Sequence, residues 1–177
     1  KQIPDFQSQL FAWYQKNARD LPWRKTKDPY AIWVSEIMLQ QTQVKTVIPY
    51  YEKWMKRFPT VEILAEAPLS EVLKYWAGLG YYRRARMLHS GAQILTKEAI
   101  NLKQPEPSAF AAFRKLPGVG RYTAGAIASI AFEEKVPVLD GNVIRILSRI
   151  TAFKEDVSNP AAIKKLWELA EKILPEK

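Results

Sequence analysis

The sequence predicts an all-α fold, and three observations carry that expectation. Apolar residues recur at helical spacing along almost the whole chain. No segment alternates with a period of two, and the nearest candidate, Val136-Pro137-Val138-Leu139, is short and contains a proline. Start and stop residues punctuate the chain often enough for about ten helices. With 177 residues, 47% of them apolar, the chain can fill one domain or two small lobes.

The elements follow in order. Phe6, Leu10, Trp13 and Tyr14 make one face of a first helix, which Leu21-Pro22-Trp23 ends. Asp28-Pro29-Tyr30 introduces the next. Residues 31–39 are apolar on most sides except at Ser35 and Glu36, so this helix is expected to be buried. Gln40-Gln41-Thr42-Gln43 interrupts it, and helical spacing resumes over 44–58. Pro59-Thr60 caps a short helix through Ala67. Leu69-Ser70-Glu71 opens another, which ends at Gly78-Leu79-Gly80. Residues 81–95 read as a basic helix. Residues 101–109, with Pro105 and Pro107, are a loop and the one weak boundary. Two helices, over 109–116 and 122–132, flank Gly118-Val119-Gly120. Residues 143–151 follow a turn at Asp140, and 161–174 form a final amphipathic helix.

Composition narrows the function classes. Lys and Arg total 27 against 18 acids, a formal charge of +9. That balance suits a polyanionic partner, although a basic surface can also serve solubility alone. There is no cysteine, so no disulfide, thiolate nucleophile or cysteine-ligated metal can form within these residues, and the single His89 excludes a multi-histidine zinc site. His89 reads as a packing residue. No apolar run reaches the ~18 residues of a membrane span. The start, Lys1-Gln2-Ile3-Pro4, lacks a signal-peptide core. The expectation is a soluble, intracellular protein without a membrane partner.

Leu116-Pro117-Gly118-Val119-Gly120-Arg121-Tyr122-Thr123 is the most informative stretch. Two glycines one residue apart between helices make a hairpin whose backbone N–H groups can face outward and hold an anion. The plain alternative is an ordinary helix–turn–helix corner. Asp140, eighteen residues after Tyr122, reads either as the N-cap of the following helix or as a carboxylate that stabilises a cationic sugar when an N-glycosidic bond breaks. Glu36 has apolar neighbours nearly all round, so it is either a solvated charge or a buried carboxyl that keeps its proton and acts as a general acid. Gln40-Gln41-Thr42-Gln43 is a polar helix break or a probe entering a base stack. Gly78-Leu79-Gly80-Tyr81-Tyr82 is a C-cap or a mount for Leu79 and Tyr81 as wedges between bases. Arg83, Arg84 and Arg86, with Lys74, read as phosphate contacts or as a solvated basic face.

Taken together, these five blocks resemble the helix-hairpin-helix DNA glycosylases and, within them, the MutY adenine glycosylases. The blocks are Leu21-Pro22-Trp23, residues 35–44, Gly78 to Tyr82, Leu116 to Gly120, and Leu139 to Val143. The resemblance runs from about Phe6 to the C-terminus. It implies a six-helix barrel domain plus an incomplete second helical lobe. Residues 1–24 would be an N-terminal helix of that second lobe, 25–132 the barrel with its hairpin at about 110–132, and 133–177 the catalytic Asp loop and return helices. It implies a DNA repair enzyme that removes adenine opposite 8-oxoguanine or guanine from double-stranded DNA, acting as a monomer.

Position by position, the resemblance makes Glu36 the acid that protonates N7 of a flipped adenine. Asp140 stabilises the sugar cation, and Tyr122 and Asn142 line the site. Trp23 and Arg24 match adenine-pocket positions. Gln41 probes the duplex, and Leu79 and Tyr81 contact the orphaned base. Gly118, Val119 and Gly120 anchor a phosphate, commonly through a monovalent cation. Related endonuclease III proteins carry Lys in the Tyr122 slot and cut the strand through a Schiff base; a phenol cannot form an imine, so hydrolysis without strand scission is expected. The family's adenine glycosylases also carry four cysteines for a [4Fe–4S] cluster and a Nudix-like C-terminal domain, and this chain contains neither. The alternatives are a thymine or uracil mismatch glycosylase of the same fold, and a non-catalytic helix-hairpin-helix DNA-binding module.

Overall fold

Helix ends in the computed structural model fall where the chain changes its local chemistry. Residues 2–175 apart from Lys103 are described, with the Gln2 side chain outside that description. Among the described residues there are ten α-helices, one 3-10 helix and no β-strand. No helix among them is long and apolar enough to cross a membrane. The chain divides into two compact units, residues 21–134 and residues 1–20 with 135–177.

The second of these units holds α1 (Gln2–Asn17), α9 (Gly141–Ile150) and α10 (Pro160–Ile173). The 21–134 unit holds the 3-10 helix Pro22–Arg24 and then α2 (Pro29–Leu39), α3 (Val44–Arg57), α4 (Val61–Glu66), α5 (Leu69–Trp76), α6 (Arg83–Lys97), α7 (Ala109–Arg114) and α8 (Arg121–Phe132). Asp28 accepts the Tyr30 N–H, and Pro29 occupies the first turn of α2, where its missing donor is harmless. Thr60 and Ser108 cap α4 and α7 through bonds to Ile63 N and Ala111 N.

α2 is the axis of the 21–134 unit. It packs on α3, α6 and α8, and α6 packs in turn on α4 and α5. Between Tyr30 and Met38 every residue of α2 is buried except Glu36. Ser35 meets that burial by donating to the Ile32 carbonyl at 2.7 Å. Large rings fill the space around it. Trp54 stands edge-on to Trp76 at 5.5 Å and tilted against Phe58 at 4.9 Å. Tyr30 donates its hydroxyl to the Phe58 carbonyl at 2.8 Å and accepts from Trp54 Nε1 at 3.3 Å. Burial pushes that phenol well above its ordinary ionisation range.

Leu21 and Trp23 belong to this core. Glu134 is tied to it as well, accepting from the N–H groups of Ala109 at 2.5 Å and Phe110 at 3.2 Å. The unit therefore begins at residue 21 and ends at 134.

In the other unit, Leu139, Leu147, Leu166 and Ala170 form a small core, with Trp167 and Phe153 packed against it. Gln7 Nε2 donates to the Ile173 carbonyl at 2.8 Å. The first helix forms as expected, yet its apolar face stays open: Leu10, Phe11, Trp13 and Tyr14 are all exposed.

Candidate functional site

The α7–α8 connection is a tight hairpin. Leu116 and Val119 are buried and pin the turn to the core, and the Val119 N–H closes on the Leu116 carbonyl at 3.2 Å. The Arg114 Nη1 donates to the Val119 carbonyl at 3.2 Å. Gly118 has φ +75°, and a Cβ there would lie 2.9 Å from Met87 Sδ, so the turn itself requires glycine. Gly120 differs. Its φ of −80° suits any residue, and a Cβ would meet nothing within 4 Å. Folding of this unit gives no reason for a glycine at 120. Gly120 begins α8 without a side-chain cap, which leaves the helix N-terminus presenting backbone N–H groups.

Beside the hairpin, α2 meets α8. Glu36, Leu39 and Gln40 are half-buried and share one helical strip, the i, i+3 and i+4 positions, on a helix otherwise enclosed. Gln40 Nε2 reaches Thr123 Oγ1 at 3.5 Å, bringing the end of α2 against the start of α8, where Tyr122 is also half-buried. Gln41 follows as an exposed residue in the left-handed region, φ 55°. Within one unit, Glu36 thus lies on α2, Gln41 just beyond its end, and Tyr122 at the start of the α8 that packs against it, with the hairpin leading into α8.

The Gly78–Tyr82 loop separates the two expected wedges. Tyr81 is 63% exposed with φ 46°, whereas Leu79 is only 6% exposed and belongs to the core. In this conformation the Tyr81 side chain is open to solvent on the face away from Arg84, and that of Leu79 is not. Trp23 is likewise buried, edge-on to Tyr51 at 5.4 Å, while Arg24 next to it is exposed. His89 is buried, with Nε2 3.0 Å from the Ala67 carbonyl oxygen, which fits its reading as a packing residue.

Arg84 departs from the expectation that it contacts phosphate with Arg83 and Arg86, because only those two are exposed. Arg84 is 8% exposed and donates inward to backbone carbonyls. The signal for this was present in the sequence: Arg84 is in helical phase with Leu88, Ala92 and Leu95, all buried.

Asp140 and Asn142 lie in the other unit. Asp140 is half-buried and caps α9, its Oδ1 accepting the Val143 N–H at 2.8 Å. Its Oδ2 accepts from Asn142 Nδ2 at 3.1 Å, and Asn142 Oδ1 accepts from Arg145 Nη2 at 2.9 Å. Arg145 therefore turns the Asn142 amide so that its NH2 faces the carboxylate. The capping role and a chemical role do not compete, because they use different oxygens. Among the described residues no group of three His, Cys, Asp or Glu could hold a metal ion. The chain has no cysteine, so its own residues do not fit an iron–sulfur cluster.

Comparison with known proteins identifies the family. The chain is 48% identical over 180 residues, 97% of its length, to a protein of Rattus norvegicus named adenine DNA glycosylase. It is 45% identical over 96% of its length to a protein of the same name from Buchnera aphidicola subsp. Baizongia pistaciae. It spans 34% and 47% of those two proteins. Among solved structures, a thermostable thymine-DNA glycosylase superposes with a TM-score of 0.83 at 30% identity, covering 98% of this chain and 78% of the other. Residues 34–172, which run from the Glu36 strip through the hairpin and Asp140 into α10, match the HhH-GPD superfamily of base excision DNA repair proteins, and the chain belongs to that family.

Proposed function

We propose that this chain is a monofunctional glycosylase that hydrolyses the N-glycosidic bond of adenine mispaired with 8-oxoguanine or guanine in double-stranded DNA. The observation that carries the reading is the 48% identity, over 97% of the chain, to a protein named adenine DNA glycosylase.

In this reading Glu36, on the one open strip of α2, gives its proton to N7 of the extruded adenine. The C1′–N9 bond then breaks, and its electron pair leaves with the base. The Asp140 carboxylate stabilises the cation left at C1′. Water adds at C1′ and returns a proton to Glu36, which leaves free adenine and an intact abasic strand. Tyr122 faces the sugar, Asn142 holds the Asp140 carboxylate through its amide, Trp23 and Arg24 border the adenine pocket, and Gln41 and Tyr81 examine the duplex, Leu79 being packed in the core beneath them. The hairpin and the start of α8 hold a backbone phosphate. The net charge of +9 supplies long-range attraction to DNA.

Single-turnover assays on duplexes with adenine opposite 8-oxoguanine, adenine opposite guanine, and thymine opposite guanine test the reading. Adenine release is expected from the first two. Release of thymine but not adenine would transfer the chain to the mismatch thymine class, and salt-dependent binding without any base release would leave only a binding module. Borohydride added during turnover is expected to trap no covalent adduct, because Tyr122 offers no amine. An efficient adduct lost on Tyr122→Phe would refute hydrolysis as the sole chemistry.

The two hairpin glycines are expected to separate folding from binding. Gly118→Ala should lower stability by about 1–2 kcal/mol, since alanine resists the left-handed region. Gly120→Ala should lower it by less than about 1 kcal/mol, the difference between glycine and alanine at an N-cap. It should nevertheless weaken duplex binding about tenfold, because a methyl would occupy the space a phosphate needs. Melting curves and binding titrations at one salt concentration check both. Equal binding by wild type and Gly120→Ala would remove the hairpin from the interface.

A further inference from the structure

One arginine holds both of the loops that the proposed function assigns to the duplex. Arg84 Nη1 donates to the carbonyls of Ile37 at 3.2 Å, Met38 at 2.9 Å and Gln40. Its Nη2 donates to Thr42 Oγ1 at 3.1 Å and to the carbonyls of Leu79 and Gly80, both at 3.2 Å. The guanidinium carbon lies 5.2 Å from the Trp76 ring centre and 5.5 Å from that of Tyr81. The first group of acceptors includes the orphan carbonyls at the end of α2. The second is the turn that leads into Tyr81.

These loops share an unusual property. Gln41 and Tyr81 are non-glycine residues at positive φ, 55° and 46°. Such conformations are disfavoured for L residues and persist where surrounding structure over-determines them. Gln41 is bracketed by two Arg84 acceptors, Gln40 O and Thr42 Oγ1. Tyr81 directly follows two more, Leu79 O and Gly80 O. Both side chains are exposed, so their placement comes chiefly from the backbone beneath them, with the Arg84 guanidinium also lying against the Tyr81 ring.

We infer that Arg84 is a positioning residue that sets Gln41 and Tyr81 in one register, so that the chain distinguishes a mispaired from a matched duplex. It acts on discrimination and not on general affinity, because its charge is buried and spent on carbonyls. The planar fork is what the role needs. Nη1 binds the end of α2 while Nη2 spans Thr42 and the Leu79–Gly80 turn, so the rigid fork serves both loops in fixed geometry, whereas a lysine's single ammonium on a flexible stem cannot hold the same set of acceptors.

The inference rests on the proposed function, and the two fail differently. The test measures binding of the full chain to matched and mispaired duplexes across a salt series, with melting curves as the control for folding. Arg84→Lys is expected to lower the ratio of mispaired to matched affinity about tenfold, with the salt slope and the matched-duplex affinity unchanged. In a Gln41→Ala, Tyr81→Ala background the same substitution should add little, since its effect passes through those residues. An unmodified chain with no mispair preference would sink the proposed function and this inference with it. A discriminating chain whose folded Arg84→Lys variant discriminates equally well, or loses affinity for both duplexes alike, would sink the inference alone. So would additive effects in the triple variant. Thr42→Val removes one acceptor and buries no charge. It is expected to lower the ratio about threefold, and if Arg84→Lys does not fold, an unchanged ratio in Thr42→Val is the refuting result.

Discussion

Glu36→Gln is expected to slow single-turnover release of adenine by about 10²–10⁴, the usual contribution of a general acid. At ~1.4 kcal/mol per tenfold, that is about 3–6 kcal/mol of transition-state stabilisation. Glutamine keeps nearly the same shape on the half-buried strip of α2, so the core around Trp33 and Met38 should not change. Affinity for a mispaired duplex should stay within about threefold, because the loss falls on the chemical step. A rate near that of the wild type would remove Glu36 from its role. A variant that neither binds nor melts cooperatively would show instead that the side chain is there for folding.

Asp140→Asn is expected to be nearly as severe, about 10²–10³ in rate, and it isolates one of two roles. Asparagine caps a helix about as well as aspartate, so the bond to Val143 N survives and α9 should keep its start. What is lost is the negative charge on the side where Oδ2 faces Asn142. Asp140→Ala removes both roles and should further cost about 0.5–2 kcal/mol of stability. The comparison of interest is therefore between these variants. If Asn retains activity and Ala does not, Asp140 is a structural cap. If both lose activity while only Ala loses stability, the charge is chemical.

The helical scaffold was legible in the sequence because its boundaries rest on short-range chemistry. Asp28-Pro29, Thr60 and Ser108 act within three residues of themselves, so their role needs no tertiary knowledge. The buried character of α2 was also local, an apolar run with Glu36 as its exception. Three features were not legible to the same degree. Arg84 was read as one of a cationic run, when only its phase with Leu88, Ala92 and Leu95 tells it apart from Arg83 and Arg86. Leu79 and Tyr81 are two residues apart in a glycine-bounded loop, yet one is core and the other stands out. That choice is made by the Gly80 backbone at φ +72° and by Trp76 Nε1 binding the Gly80 carbonyl at 3.0 Å. The border at residue 134 depends on Glu134 reaching back to α7, a contact across about two dozen residues that no local pattern announces.

The distribution of indoles gives the chain a built-in optical reporter. Trp23, Trp33, Trp54 and Trp76 are all at most 7% exposed in the 21–134 unit. Of the other two, Trp13 is 60% exposed and Trp167 is half-buried, both in the second unit. Intrinsic emission should therefore be dominated by blue-shifted indoles that an aqueous quencher such as iodide hardly reaches, with a smaller red component from Trp13 that it reaches at once. Melting of the 21–134 unit would move four fluorophores into water together. Any ligand that ordered or covered the first helix would instead change only the quenchable fraction, so one cuvette can follow the two units separately.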